Sequence, residues 1–304
     1  MTLEHRAFLY DGVEEFLSVT APYLREGVEA GEAVVVVVRE PGLSALRDVL
    51  APLAAEIEFY DSAVFYRHPV RTLKSYQEVV VSKMPRPVRA LAEPVWQGRS
   101  PRETVEWARY ESLINVVFED SGARALCPYD LDGLPSAVID HARRTHPLLA
   151  CGAHSAGYVD PVAFGEECDR TRRFDRPRET AYFAVESDDL YALRVFVGGR
   201  AGAHGLGEQP ARNFVTAVNE VAANALRHGA PPVGVRVWSE GPDLVCEVGD
   251  NGLWLPGPGP LTGFVPPESA LERGFGLWSV RLLVDLMELR AGWDGTFVRL
   301  RTAR

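Results

Sequence analysis

Five consecutive valines, Val34 to Val38, constrain the amino-terminal half of this chain more than any other stretch. A strand with one face in water alternates apolar and polar side chains, whereas an unbroken β-branched run predicts a strand covered on both faces, as in a parallel sheet packed between helices. The flanking sequence keeps the same rhythm. Short apolar runs at 7–10, 57–60, 88–93 and 125–130 predict further strands. Helical spacing across 13–27, 43–53, 71–81, 100–118 and 134–143 predicts helices between them. Alternating strands and helices of this kind make an α/β sandwich.

At 304 residues, with 46% hydrophobic and 24% charged residues, the chain has ordinary globular composition and length for two cores. A formal charge of −10 argues against direct nucleic-acid binding, which needs clustered Lys and Arg to neutralise phosphates. The longest apolar run, 33–38, is far short of the ~20 residues that span a bilayer. Glu4, His5 and Arg6 stand where a signal peptide would be apolar, so a cytoplasmic protein without a membrane partner is expected. Cys127, Cys151, Cys168 and Cys246 have no CxxC spacing; they read as reduced thiols, and nothing in their spacing marks a metal site. Residues 160–179 set Arg170, Arg172, Arg173, Arg176 and Arg178 among acids and prolines without apolar periodicity. They predict a solvated connector between an amino-terminal domain, 1–159, and a carboxy-terminal domain, 180–304.

In the second half the pattern changes. A strand at 180–186, a helix at 190–197, a long helix from about 210 to 227, and hairpins at 233–239/244–249 and 287–290/297–301 predict a two-layer α/β sandwich. On the long helix Phe214, Val218, Val221, Ala222 and Ala225 share one side. Glu220 and Asn224, four residues apart, lie one above the other on the opposite side, where a structural helix would carry aliphatics or basic residues. Asn219 is turned about 100° away from them. Val248-Gly-Asp-Asn-Gly252 closes a strand, and Arg273-Gly-Phe-Gly-Leu277 opens a helix predicted to run through Leu277, Val280, Leu283, Val284 and Met287. Each residue type suits a task. An amide oxygen such as that of Asn224 is a neutral, hard ligand for Mg²⁺. A carboxylate such as that of Asp250 at a strand end accepts hydrogen bonds, and Gly252 lets a ligand approach the backbone closely. Gly274 and Gly276 ahead of a helix expose backbone N–H groups to an anion.

Glu220-x-x-x-Asn224-Ala-x-x-His228-Gly229, Asp250-x-Gly252 and Gly274-x-Gly276-Leu277 resemble, in order, the asparagine box and the two glycine boxes of the Bergerat-fold (GHKL) ATPases. With Leu193-Arg194 and the closing run from Gly295 to Leu300, the stretch from roughly 180 to 304 resembles the anti-sigma-factor serine kinases of the HATPase type. The resemblance implies ATP held with Mg²⁺: Asn224 on the metal, Asp250 and Gly252 on adenine, Gly274 and Gly276 on the phosphates. It implies further ATP contacts for His228, Leu277 and Thr296, and a catalytic-base role for Glu220. One departure stands out. The first glycine box is ordinarily Asp-x-Gly-x-Gly, but Trp254 holds the second glycine position, followed by a Pro- and Gly-rich stretch to Gly263 that reads as a lid.

In the first half, His5-x-x-Phe8-x-Tyr10, Trp107-Ala-Arg-Tyr110-Glu111, Cys127-Pro-Tyr-Asp130 and Thr145-His146-Pro147 resemble the MEDS sensory domain, a RecA-like α/β module, over about residues 1–155. No Gly-x-x-x-x-Gly-Lys-Ser/Thr loop is present to hold phosphates there. The resemblance therefore implies a sensor, with Tyr10, Tyr66, His68, Trp96, Tyr110 and His146 as candidates to line a ligand pocket. Together the two halves imply a serine kinase that acts on an anti-sigma-factor antagonist and sequesters a sigma factor. A nucleotide-gated binding module without phosphotransfer is the alternative. A histidine-kinase-like ATPase is another alternative, although His154 and His204 lie on no evident amphipathic helix, and an interaction scaffold that keeps the boxes only as relics is a further one. A small-molecule ligand of the first half and a homodimer are left open.

Overall fold

A computed structural model describes residues 2–171, 174–186, 190–253, 261, 263–265 and 275–304. The chain divides into two compact units, 1–164 and 165–304.

The first unit alternates strand and helix. Its elements are β1 (Glu4–Tyr10), α1 (Gly12–Glu29), β2 (Ala33–Val38), α2 (Gly42–Val49), a 3₁₀ turn (Ala51–Glu56), β3 (Ile57–Asp61), α3 (Ser62–Phe65), α4 (Pro69–Lys83), β4 (Val88–Ala92), α5 (Pro101–Val117), β5 (Arg124–Asp130), α6 (Ser136–Thr145) and β6 (Leu148–Leu149). The strands form one sheet in the order β3-β2-β4-β5-β1-β6, every pair parallel. The valine run is β2, flanked by β3 and β4, and none of the five valines is more than 2% exposed. Val34, Val36 and Val38 pack with Phe16, Leu24, Leu46 and Leu91. The helix expected over 43–53 stops at Val49, because Pro52 has no N–H to continue the ladder and the chain tightens into the 3₁₀ turn. Pro128 sits in a central strand without a lost bond: pairing of β5 with β4 ends at Leu126, while β1 continues alongside. Helix α5 starts on a capping box, with Ser100 accepting from the Glu103 N–H and the Glu103 carboxylate accepting from Ser100 N–H. It buries Trp107, Tyr110 and Leu113 together with Glu106, Arg109 and Glu111.

The unit boundary falls within α7 (Pro161–Thr171), a helix in the stretch read from sequence as connector. The second unit continues with β7 (Ala181–Val185), α8 (Tyr191–His204), α9 (Glu208–His228), β8 (Val233–Glu240), β9 (Asp243–Asp250), α10 (Phe275–Leu283), β10 (Leu286–Gly292) and β11 (Gly295–Ala303). Its five strands form an antiparallel sheet, β10-β11-β9-β8-β7, and the three helices share a core with one face of it: Phe214, Val218 and Ala222 of α9 meet Val197 of α8, Val280 of α10 and Val235, Val248 and Leu300 of the sheet. The fold is thus α/β in both units, a parallel sheet followed by a two-layer sandwich.

Two expectations are corrected here. Helix α8 does not end at Val197 but runs to His204 through Gly198, Gly199 and Gly202. Intrinsic propensity disfavours those glycines by about 1 kcal/mol each, but Val197 and Ala201, both fully buried, anchor the helix to the core. Helix α10 ends at Leu283, so Val284 lies beyond it and Met287 on β10. Both still face the core, so apolar spacing alone carried the prediction past the turn.

Candidate functional site

The buried stripe of α9 is the one the spacing predicts: Phe214, Val218 and Ala222 are fully buried and Val221 and Ala225 nearly so. That fixes the helix's rotation and leaves Glu220 and Asn224 on the remaining side, half-buried. Asn219 is directed elsewhere, its amide oxygen accepting from Arg194 Nη1 at 3.0 Å.

Asn224 and His228 of α9, Asp250 and Gly252 at the end of β9, Leu277 of α10 and Thr296 of β11 line one pocket. Val221, Ala225, Val248, Leu289 and Val298 give it an apolar floor. Asp250 is almost fully buried. Its Oδ1 accepts from the Gly252 N–H at 2.7 Å and the Ala230 N–H at 3.2 Å, while no partner of Oδ2 is found among the described residues. The carboxylate is therefore oriented by backbone and keeps one oxygen for a donor inside the pocket. Thr296 pairs with Asp250 across the β11–β9 ladder and donates its hydroxyl to the Gly252 carbonyl at 2.8 Å.

Gly276 is where α10 meets the polar face of α9. A Cβ there would stand 2.6 Å from Glu220 Oε1 and 2.9 Å from Asn224 Nδ2, so glycine lets the start of α10 lie against this pair without displacing the two side-chain ends. Gly274, the other glycine of the box, lies outside the described residues, as does most of the lid expected between Trp254 and Gly263. Of that stretch Gly263 is described, close against Leu277, and just beyond it Phe264 is buried under the Arg281 guanidinium at 3.9 Å.

Arg227 was not singled out in the sequence. Its Nη2 donates to Asn224 Oδ1 at 3.1 Å and lies 3.6 Å from Glu220 Oε1, joining the two side chains. The signal was available: Arg227 follows Asn224 by three and Glu220 by seven positions, on the same helical face. Of the two other histidines weighed, His204 closes α8 with its ring bonded to Ser239 Oγ at 2.8 Å and the Pro242 carbonyl at 3.0 Å. His154 forms an isolated bridge with Leu148.

In the first unit a second, apolar cavity is lined by Tyr66 and Tyr110, two of the pocket candidates, with Tyr76, Ile114 and Phe118. Tyr10, His68, Trp96 and His146 do not line it. No helix among the described residues is long and apolar enough to cross a membrane.

Residues 4–147 match the family model of MEDS, the methanogen/methylotroph, DcmR sensory domain, and residues 183–302 match that of the histidine kinase-like ATPase domain. Among solved structures, the RsbU and RsbW domains of Rv1364c from Mycobacterium tuberculosis are similar over 42% of this chain and 32% of that one, at 18% identity and a TM-score of 0.31. The match thus spans about a third of that chain's length. No curated protein matches this chain significantly. The chain joins a MEDS-type sensory domain, over residues 4–147, to a histidine kinase-like ATPase domain, over residues 183–302.

Proposed function

We propose that the second unit binds ATP with Mg²⁺ and transfers phosphate to a serine of a protein partner, an anti-sigma-factor antagonist, under control of the first unit. The observation that carries this reading is the convergence on one pocket of Asp250, Gly252, Thr296, Asn224 and Leu277, with Gly276 packed against Glu220 and Asn224 at its side. Asp250 supplies an oriented acceptor for the adenine amine, and the apolar floor takes the face of the base. The first backbone N–H groups of α10 face the phosphates, where the positive end of the helix favours anions. Asn224 offers an amide oxygen to Mg²⁺, which would neutralise charge on the phosphates when bound with ATP. Glu220 accepts the proton of the incoming serine hydroxyl as its oxygen bonds to the terminal phosphorus, and the bond to the bridging oxygen breaks to release ADP.

A second reading, a nucleotide-gated binding module, is favoured by one observation: Arg227 occupies both Glu220 and Asn224. Incubation of full-length protein and a candidate antagonist with γ-labelled ATP and Mg²⁺ separates the two. Label on a serine of the antagonist supports the kinase. ATP-dependent complex formation without label supports the binding module, and failure to bind ATP removes both.

A further inference from the structure

Four side chains that are far apart in sequence and belong to none of the three boxes meet in the interior of the first unit. His5 of β1, Glu111 of α5, Cys127 of β5 and His146 at the end of α6 each point one potential ligand atom at a common centre, and these atoms all lie within 4.8 Å of one another. None of the four residues is more than 3% exposed. A tetrahedral ion with bonds of about 2.0–2.3 Å needs ligand atoms about 3.3–3.8 Å apart. His5 Nε2 to Cys127 Sγ is 3.5 Å, His146 Nε2 to Glu111 Oε2 is 3.5 Å and His5 Nε2 to Glu111 Oε2 is 3.8 Å.

The surrounding hydrogen bonds orient both imidazoles. Asn115 Nδ2 donates to the Thr145 carbonyl at 2.8 Å and the Ser112 carbonyl at 3.1 Å, so its Oδ1 is the acceptor facing His5 Nδ1 at 3.0 Å. His146 Nδ1 lies 2.9 Å from the Ala142 carbonyl, which can only accept. Both rings therefore carry their proton on Nδ1 and turn the Nε2 lone pair inward, the arrangement by which outer partners fix a metal-ligating histidine. Among the described residues, His146 Nε2 and Glu111 Oε2, although fully buried, have no hydrogen-bond partner, an arrangement that costs free energy unless something else sits between them. His5, Glu111 and Cys127 also line the apolar cavity with Tyr66 and Tyr110, so the centre faces that space.

We propose that His5, Glu111, Cys127 and His146 bind one divalent transition-metal ion of the Zn²⁺ class in the wall of this cavity. Two imidazoles, a thiolate and a carboxylate form a mixed N, S and O set suited to a borderline-soft ion. The two anionic ligands cancel the charge of a divalent cation, which removes the main cost of burying it. The ion would tie β1, β5, α5 and α6 at one point and present a Lewis-acidic centre to a small molecule entering the cavity.

The test is titration of chelator-treated, full-length protein with Co²⁺. One equivalent is expected to give the visible bands of a tetrahedral site and a thiolate-to-cobalt charge-transfer band, both abolished by Zn²⁺. Cys127→Ser is expected to lose the charge-transfer band, Asn115→Ala to bind about 10–100-fold more weakly, and exposed Cys151→Ser to match the wild type. Should Cys127→Ser fail to fold, X-ray absorption of the wild-type zinc form decides: one sulfur at about 2.3 Å with nitrogen and oxygen at about 2.0–2.2 Å is expected. A wild type that takes up no metal, a charge-transfer band that survives Cys127→Ser, or a zinc shell without sulfur overturns the proposal.

Discussion

Thr296 stands directly opposite Asp250 in the β11–β9 ladder, and its hydroxyl reaches past that residue to the Gly252 carbonyl at 2.8 Å. Two strands thus hold the turn that aims the Asp250 carboxylate, while Ala230, just beyond α9, contributes an N–H from the other side. Asp250→Asn should disturb this, because an amide has one acceptor for two tasks: with its oxygen on the Gly252 and Ala230 N–H groups its NH₂ faces the adenine amine, and turned the other way it faces those N–H groups, donor against donor in either case. We expect ATP affinity to fall by ~1–3 kcal/mol, about 5–150-fold, measured by calorimetry. Unchanged affinity would remove Asp250 from the adenine site.

Glu220→Gln keeps the shape of the side chain and the neighbourhood of Gly276 but removes the base. Near-normal ATP affinity with phosphotransfer reduced at least tenfold is expected, a cautious value within the ~10²–10⁴ range of general-base catalysis. Equal initial rates of serine labelling for the two proteins would show that Glu220 is not the base.

Two glycines of the second unit should respond differently to alanine. At Gly276 the new methyl meets the ends of Glu220 and Asn224, which can move aside. Thermal stability should change by less than about 1 kcal/mol while ATP affinity drops. At Gly295, with φ +118, the methyl meets the Asp250 backbone carbonyl, which cannot move without breaking the ladder. Gly295→Ala should lower stability by about 1–3 kcal/mol. Thermal unfolding and calorimetry together check both; a reversed order of stability losses contradicts the placement.

Away from the pocket, Arg299 is fully buried and donates to Glu247 Oε2 at 2.7 Å, and Arg176 pairs with the same carboxylate. Phe174 and Trp238 stack against the guanidinium at 4.2 and 5.1 Å. Glu247→Ala removes the carboxylate that neutralises this buried cation, although its 3.2 Å bond to the Asp175 carbonyl remains, and a loss of about 3–5 kcal/mol is expected in denaturant unfolding. A loss under 1 kcal/mol would mean that the other contacts of Arg299 suffice to hold it.

The parts of this protein that local periodicity encodes could be read from its residues. The valine run demanded a strand covered on both faces, and β2 is one, since no other packing buries five β-branched side chains in succession. The α9 stripe placed Glu220 and Asn224 on one helical face for the same geometric reason. Periodicity failed where one core receives side chains from two kinds of element: Met287 satisfies helical spacing from Val280 yet belongs to β10. It also failed at α8, whose glycines are held helical by burial of their neighbours. Tertiary structure alone decided that Ala230 helps to clamp Asp250, and that His5, Glu111, Cys127 and His146 converge. Those four residues come from two parallel strands and two helix ends or faces separated by long stretches of chain, and no local period relates them. Only the crossover of a parallel sheet, which returns distant strands side by side, brings their ligand atoms to one point.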